Sequence, residues 1–253
     1  MDDRLSAIVI VVPARNEEEL LGACLLRLGK AMDRLNRARP ELEIRLTVVL
    51  DQCRDSSPAL AASFAANDPR LSVLSVGCGV VGATRAAGID FALESLATDT
   101  PARHSPERIW IACTDADTRV PVHWLTRAVK LAESGSDVIA GTVEPDSADM
   151  DQAFYALWWR DHDRGEGHGH IHGANLGFRA SAYCAVGGFD PVPVSEDVLL
   201  VEKLRRSGAR VTATGKIHAI TSGRMQGRVG SGFAGYLRKL AQRHVEHAGE
   251  HGS

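Results

Sequence analysis

The residues of this 253-residue chain that could do chemistry begin with Thr114-Asp115-Ala116-Asp117-Thr118, two carboxylates at the end of the apolar run Arg108–Thr114. Acids this close repel one another unless a cation lies between or beside them, and a hard divalent ion bridging a diphosphate would relieve that cost. The competing reading is an Asp-rich turn capping the next helix. Glu196-Asp197 precedes Val198–Leu204 and is either a pair of acids favoured by a helix N-terminus or an acid/base site. In Gly82–Ile89, Arg85 stands in the first turns of a helix behind a Gly-rich approach, which suits a phosphate or a pyrimidine base. Ser222–Gly232 is rich in Gly and carries Arg224 and Arg228, a composition fit for a mobile lid closing over a diphosphate.

Gly77-Cys78-Gly79-Val80-Val81-Gly82 spells GxGxxG between a strand and a helix, the setting of a dinucleotide fingerprint. That fingerprint requires an acid roughly 20 positions on. The next strand-terminal acid, Asp115, stands 33 positions after Gly82, which counts against an NAD(P)-dependent oxidoreductase. The stretch Val73–Gly79 also looks like the first motif of an S-adenosylmethionine-dependent methyltransferase, with Ser75 where Asp is usual and Val81 where Gly is usual. In both readings the strand would have to be the first of its sheet, and here it is the third.

The elements that must position these residues alternate. Ala7–Val12, Ile44–Leu50, Leu71–Val76, Arg108–Thr114 and Asp137–Val143 read as buried strands, being apolar and β-branched. Helices are expected between them at Glu17–Leu35, Pro58–Asn67, Ala83–Leu96 and Pro121–Ser134. This rhythm predicts βαβ units and a mainly parallel sheet, with ligands beyond the carboxyl ends of the strands. After about residue 145 the rhythm changes: a helix containing Trp158 and Trp159, a short strand near Ala174–Phe178, a helix near Val198–Ser207, strand Arg210–Thr214, and a last helix near Phe233–His247. Hydrophobic residues make up 44% and charged residues 24%, and the net charge is −3, so a large core is expected and a nucleic-acid footprint is not. No run is long enough to span a bilayer, and five scattered cysteines without a CxxC pair read as reduced thiols in a cytoplasmic protein.

Taken together these segments resemble a family 2 glycosyltransferase of the GT-A fold, over most of the chain. Val11-Val12-Pro13-Ala14-Arg15-Asn16-Glu17 resembles the family's opening strand and turn, which implies that Pro13, Ala14, Asn16 and Glu17 lie against a donor nucleotide. Leu50–Ser57 resembles the acidic loop after the second strand, where Asp51 would contact the base. Gly82–Ile89 resembles the next nucleotide-binding segment, with Gly82 and Arg85 on the donor. Asp115-Ala116-Asp117 matches the DxD that holds Mn2+ or Mg2+, with Asp117 the more direct ligand, Asp115 beside it and also on the donor, and His218 a further ligand. Gly173-Ala174-Asn175-Leu176-Gly177-Phe178-Arg179 and Gly187-Gly188-Phe189-Asp190 resemble the acceptor side. In Ser195-Glu196-Asp197 the resemblance makes Glu196 and Asp197 the catalytic acids, Asp197 being the base of inverting members. Arg224 and Arg228 would reach the diphosphate.

The resemblance implies a Rossmann-like, mainly parallel central sheet flanked by helices, with a smaller acceptor-side region. A single domain would cover residues 1–243, with a nucleotide half to about 145, an acceptor half from about 146, and a flexible tail at 244–253. Transfer from a nucleotide-diphosphate sugar to a hydroxyl of a small or lipid-linked acceptor is expected, non-processive because QxxRW and membrane helices are lacking. Peripheral membrane contact and a homodimer are compatible with this. His168-Gly169-His170-Ile171-His172 lacks zinc spacings and a Cys partner, and reads as acceptor-side surface. Trp158 and Trp159 suit stacking on a sugar or aglycone, with core packing the competing role for at least one of them and Trp158 assigned to the acceptor.

Overall fold

Strand β1 (Ala7–Ala14) sets the frame, because nearly every one of its side chains is buried and successive ones point to opposite faces. Ile8, Ile10 and Val12 enter one core with helix α1 (Leu21–Ala38) and helix α4 (Trp124–Glu133). Val9 and Val11 enter the other, with helix α3 (Val81–Asp99) and helix α7 (Glu196–Arg206). Burying an aliphatic or aromatic side chain contributes about 1.5–3 kcal/mol, so an all-apolar strand between two helical layers is the strongest local determinant of the fold. The computed structural model describes residues 4–99 and 104–224. The expected helix Phe233–His247, the tail and Arg228 lie outside them.

Strands β2 (Glu43–Asp51), β3 (Leu71–Val76), β4 (Ile109–Cys113), β5 (Thr118–Arg119), β6 (Val138–Pro145), β7 (Leu176–Arg179) and β8 (Val211–Thr221) complete one sheet in the order β3-β2-β1-β4-β7-β6-β8-β5. The four strands β3-β2-β1-β4 are parallel. Beyond them the sheet is mixed: β7 is antiparallel to both β4 and β6, and β5 to β8. The expectation of a mainly parallel sheet therefore holds for the first half of the chain. The second half inserts an antiparallel strand, because β7 returns from a loop region rather than through a βαβ crossover.

Helix α1 buries Leu21, Cys24, Leu25, Leu28, Ala31, Met32 and Leu35, a 3.6-residue stripe. It begins at Leu21 rather than Glu17, because the Glu17 carbonyl closes a turn by accepting from the Leu20 and Leu21 amides at 3.1 and 2.9 Å. Strand β8 runs well beyond Thr214, through His218, pairing with β6 across a register shift at Gly141/Thr142. The segment Gly173–Asn175 is a 3-10 turn, so the following strand starts at Leu176. Helix α2 (Ser57–Ala65) and helix α5 (Gln152–Asp161) fall where expected, whereas β5 and helix α6 (Ala180–Ala185) are too short to register as sequence periodicity. Among the described residues no helix is long and apolar enough to cross a membrane.

Candidate functional site

From β1 the chain passes to β2 on one side, whereas β3 connects to β4 on the other. A crevice therefore opens beyond the carboxyl ends of β1 and β4, where an α/β sheet binds ligands. A cleft of about 420 Å3 lies there. It is lined by Pro13, Ala14, Glu17, Asp51, Arg85 and Arg224. Asp115, Asp117, Gly173, Ala174, Glu196 and Asp197 line it as well. Twelve of the residues singled out from sequence thus meet in one place, although they are drawn from segments up to 211 positions apart.

Buried arginine organises the cleft floor. Arg85 is only 2% exposed. Its Nη2 donates to Asp115 Oδ1 at 2.5 Å, and its Nη1 donates to Glu196 Oε1. One guanidinium from α3 therefore holds a carboxylate from the end of β4 and another from the start of α7. Burial opposes the charge on Arg85, but Asp115 and Glu196 more than offset this and raise its pKa. Burial in turn raises the Glu196 carboxyl against the pull of Arg85. The approach is close because the chain is bare at two points: a Cβ on Gly82 would lie 2.4 Å from the Asp190 carbonyl oxygen, and one on Gly173 would lie 2.5 Å from Arg85 Nη2. Gly82 thus does not line the cleft but lets α3 reach the loop before α7.

A second arginine covers the other acids. Arg224 donates from Nη1 and Nη2 to the two carboxylate oxygens of Glu17 at 3.1 and 2.7 Å, and from Nη2 to Asp117 Oδ2 at 3.0 Å. The Thr221 hydroxyl donates to Asp117 Oδ1 at 3.2 Å. Burial, then the neighbouring Asp115 charge, push the Asp117 carboxyl up to about 6 in spite of Arg224. An acid whose pKa is raised on folding binds more protons in the folded state, so its burial costs stability where it is charged and costs less as the pH falls through 6. Asp117→Asn should therefore melt above the parent at neutral pH in chelator, with the gap closing as the pH is lowered towards about 4. A gap that does not change with pH would contradict this.

Asp115 and Asp117 supply hard oxygen donors, and a carboxylate short of charge compensation is what a Mn2+ or Mg2+ ion would correct. Such ions are commonly held by one or two carboxylates together with substrate phosphates. The donor set therefore fits the ion, even though the described residues contain no cluster of three ligands. His218 does not join them. On β8 it contacts the Thr142 hydroxyl through Nδ1 at 2.9 Å and lies 2.9 Å from Glu144 through Nε2, away from the cleft lining. The alternation of the strand separates it from Thr221, which does face Asp117.

Asp197, at the N-terminus of α7, accepts from the Gly173 amide at 2.7 Å and the Val198 amide at 2.8 Å. Ser195 precedes it in the left-handed region, φ 60°, a strained conformation for a non-glycine residue that turns the chain into the helix. Asn175 departs from the expected acceptor role. It is 3% exposed, accepts from Trp124 Nε1 at 2.9 Å and donates to the carbonyls of Thr142 and Ile217, so its amide ties β6, β8 and α4 together. Trp158 likewise packs in the interior and is stacked on His162 with centroids 4.1 Å apart. Asn16 does not line the cleft either; its side-chain oxygen accepts from the Arg54 amide at 2.7 Å and braces the loop after β2.

Asp51 is buried and accepts from the Gly79 amide through both oxygens, at 3.1 and 3.0 Å. The Gly77–Gly82 turn is thus anchored to the end of β2. It follows β3 at the sheet edge rather than a strand beside the switch point, so the dinucleotide and methyltransferase readings lack their geometry. Sequence reasoning passed over Arg15, which donates to Gln52 Oε1 and the Gly79 carbonyl at 3.2 and 3.3 Å. His172, part of the segment read from sequence as acceptor-side surface, lines the cleft at the end of a stack of rings. Burial, then His170 and its neighbours, lower the His172 pKa to about 4, so the ring is neutral at pH 7. Its alternation with His168 and His170 was visible in the sequence, but which ring reaches the cleft was not.

The model of the family described as Glycosyl transferase family 2 matches residues 9–186. Solved structures resemble the fold at low identity. Staphylococcus aureus TarS 1-349 in complex with UDP is 15% identical with TM-score 0.59, over 85% of this chain and 61% of that one. The mannosyltransferase PcManGT from Pyrobaculum calidifontis in complex with GDP-Man and Mn2+ is 20% identical with TM-score 0.61, over 88% and 59%. GalNAc-T7 with UDP, GalNAc and Mn2+ is 11% identical with TM-score 0.62, over 88% and 45%. The chain thus spans less than two thirds of each of these three. No curated protein matches it by sequence.

Proposed function

Because the chain belongs to glycosyl transferase family 2, we propose that it transfers a sugar from a nucleotide-diphosphate sugar to an acceptor hydroxyl, with inversion and without processive elongation. The observation that carries this reading is the convergence of Asp115, Asp117, Glu196 and Asp197 on one cleft at the sheet switch point. The PcManGT and GalNAc-T7 structures, which carry GDP-Man or UDP with Mn2+, support the donor class and a divalent ion.

In this reading the nucleotide lies against Pro13, Ala14 and Asp51, and its diphosphate faces Asp115, Asp117 and Arg224. Asp117 and Asp115 would hold Mn2+ or Mg2+, which supplies charge neutralisation of the departing nucleotide diphosphate. Asp197 is the general base. As the acceptor oxygen forms its bond to the anomeric carbon, its proton passes to the Asp197 carboxylate. The bond from that carbon to the diphosphate oxygen breaks on the opposite face, carrying its electron pair with the leaving group. A single in-line displacement inverts the anomeric centre. Arg85 orients the floor by holding Glu196 and Asp115, and does so without touching the reacting atoms. We further propose a reducing cytoplasm as the chain's location, in keeping with five scattered cysteines without a CxxC pair.

A thermal-shift panel tests the donor assignment. UDP-, GDP- or dTDP-sugars with Mn2+ should raise the melting temperature, and NADH and S-adenosylmethionine should not. At a ligand concentration 100 times Kd the stabilisation amounts to about 2.7 kcal/mol. Asp117→Ala should lose the Mn2+-dependent part of that shift. Stabilisation by S-adenosylmethionine alone, indifferent to Mn2+, would replace this reading with a methyltransferase.

A further inference from the structure

Around Asp197 the cleft changes character. The donor side is polar and its arginines are engaged: Arg85 by Asp115 and Glu196, Arg224 by Glu17 and Asp117, and Arg15 by Gln52 and the Gly79 carbonyl. The cleft that Asp197 lines is also lined by the apolar Ile171, Pro193, Val194 and Val198 and by His172. Val198 and the adjoining Leu199 are each 37% exposed, two of only four large apolar side chains exposed among the described residues. A single exposed apolar side chain needs no explanation, but an exposed Val198 that lines the cleft, with an exposed Leu199 next to it in the chain, marks a binding surface.

Charge narrows the occupant. Asp197 and Glu196 are both acids, and Glu196 is already matched by Arg85. A phosphate or carboxylate on the acceptor would share with Asp197 a cleft lined by apolar side chains, where like charges are costly. His172, neutral at pH 7 through burial and the neighbouring rings, adds a polar contact without a charge.

We propose that the acceptor is an uncharged molecule bearing its reacting hydroxyl on an apolar body, an alcohol or phenol, whose apolar part rests on Ile171, Pro193, Val194, Val198 and Leu199. This rests on the glycosyltransferase reading and names the substrate class at its acceptor end.

Direct binding tests it. 2-Naphthol, followed by its own fluorescence, should bind the full chain, and glycerol 3-phosphate should fail to displace it. Val198→Asp should weaken 2-naphthol binding about tenfold, the scale at which an apolar pocket discriminates. An acid in the first turn of α7 suits the helix N-terminus, so the fold should persist, as an unchanged melting temperature would verify. Leu199→Asp provides a second, independent variant. Displacement by glycerol 3-phosphate, or affinity unchanged in both variants, would overturn the proposal. Because 2-naphthol binding needs no donor, this failure is separable from failure of the parent reading, which would appear as no Mn2+-dependent response to any nucleotide sugar.

Discussion

Asp197→Asn is expected to lower transfer by about 10²- to 10⁴-fold, the contribution of a positioned general base, while keeping the metal-dependent thermal shift with nucleotide. The carboxylate is fixed by two backbone amides, those of Gly173 and Val198. Each amide donates to a different carboxylate oxygen, which fixes the orientation of the group. Asparagine has nearly the same shape but no basic oxygen, and its amide nitrogen must turn away from one N–H donor. In the proposed reading the donor is held by Asp51, Asp115, Asp117 and Arg224, none of which Asp197 contacts in the described hydrogen bonds. The measurements are steady-state turnover and melting with UDP or GDP plus Mn2+. Turnover near that of the parent would remove Asp197 as the base.

Arg85→Met is expected to cost about 3–5 kcal/mol, because it leaves the buried Glu196 carboxylate without its cation. For a chain of this size that lowers the melting temperature by on the order of 10 °C. Asp115 and Glu196 would lose the donor that holds them together, so turnover should fall as well. Pairing the change with Glu196→Gln removes one uncompensated charge, and the double variant should recover part of the stability without recovering activity. Equilibrium denaturation of the single and double variants reads this directly. A cost below about 1 kcal/mol for the single variant, the range of exposed ion pairs, would mean that Arg85 is not the structural cation of the site.

These two residues also mark how far sequence reaches. The strand ends and their acids were legible: Asp51, Asp115 and the Glu196-Asp197 pair follow or precede strongly patterned apolar segments, and the cleft gathers them. Arg85 was legible as a cation near the donor, but its pairing with two acids was not, since its partners lie 30 and 111 positions away. Arg224 was anticipated on a diphosphate, and here it rests between Glu17 and Asp117, 207 and 107 positions distant. Asn175 and Trp158 show the opposite case. Their types suit a sugar-binding surface, yet both side chains are buried, one as a hydrogen-bonded brace and one as packing.

What the sequence by itself determined was the parallel half of the sheet, the helical faces packed on it, and the acids at its carboxyl edge. Apolar periodicity is a local property, and burial enforces it locally. Only the tertiary structure decided which charges neutralise one another, that His218 lies beside Glu144 outside the cleft lining, and that β7 enters antiparallel. These outcomes depend on distances between segments far apart in the chain. A hydrogen bond or an ion pair is settled within a few ångströms, and residue spacing along the chain does not encode that distance.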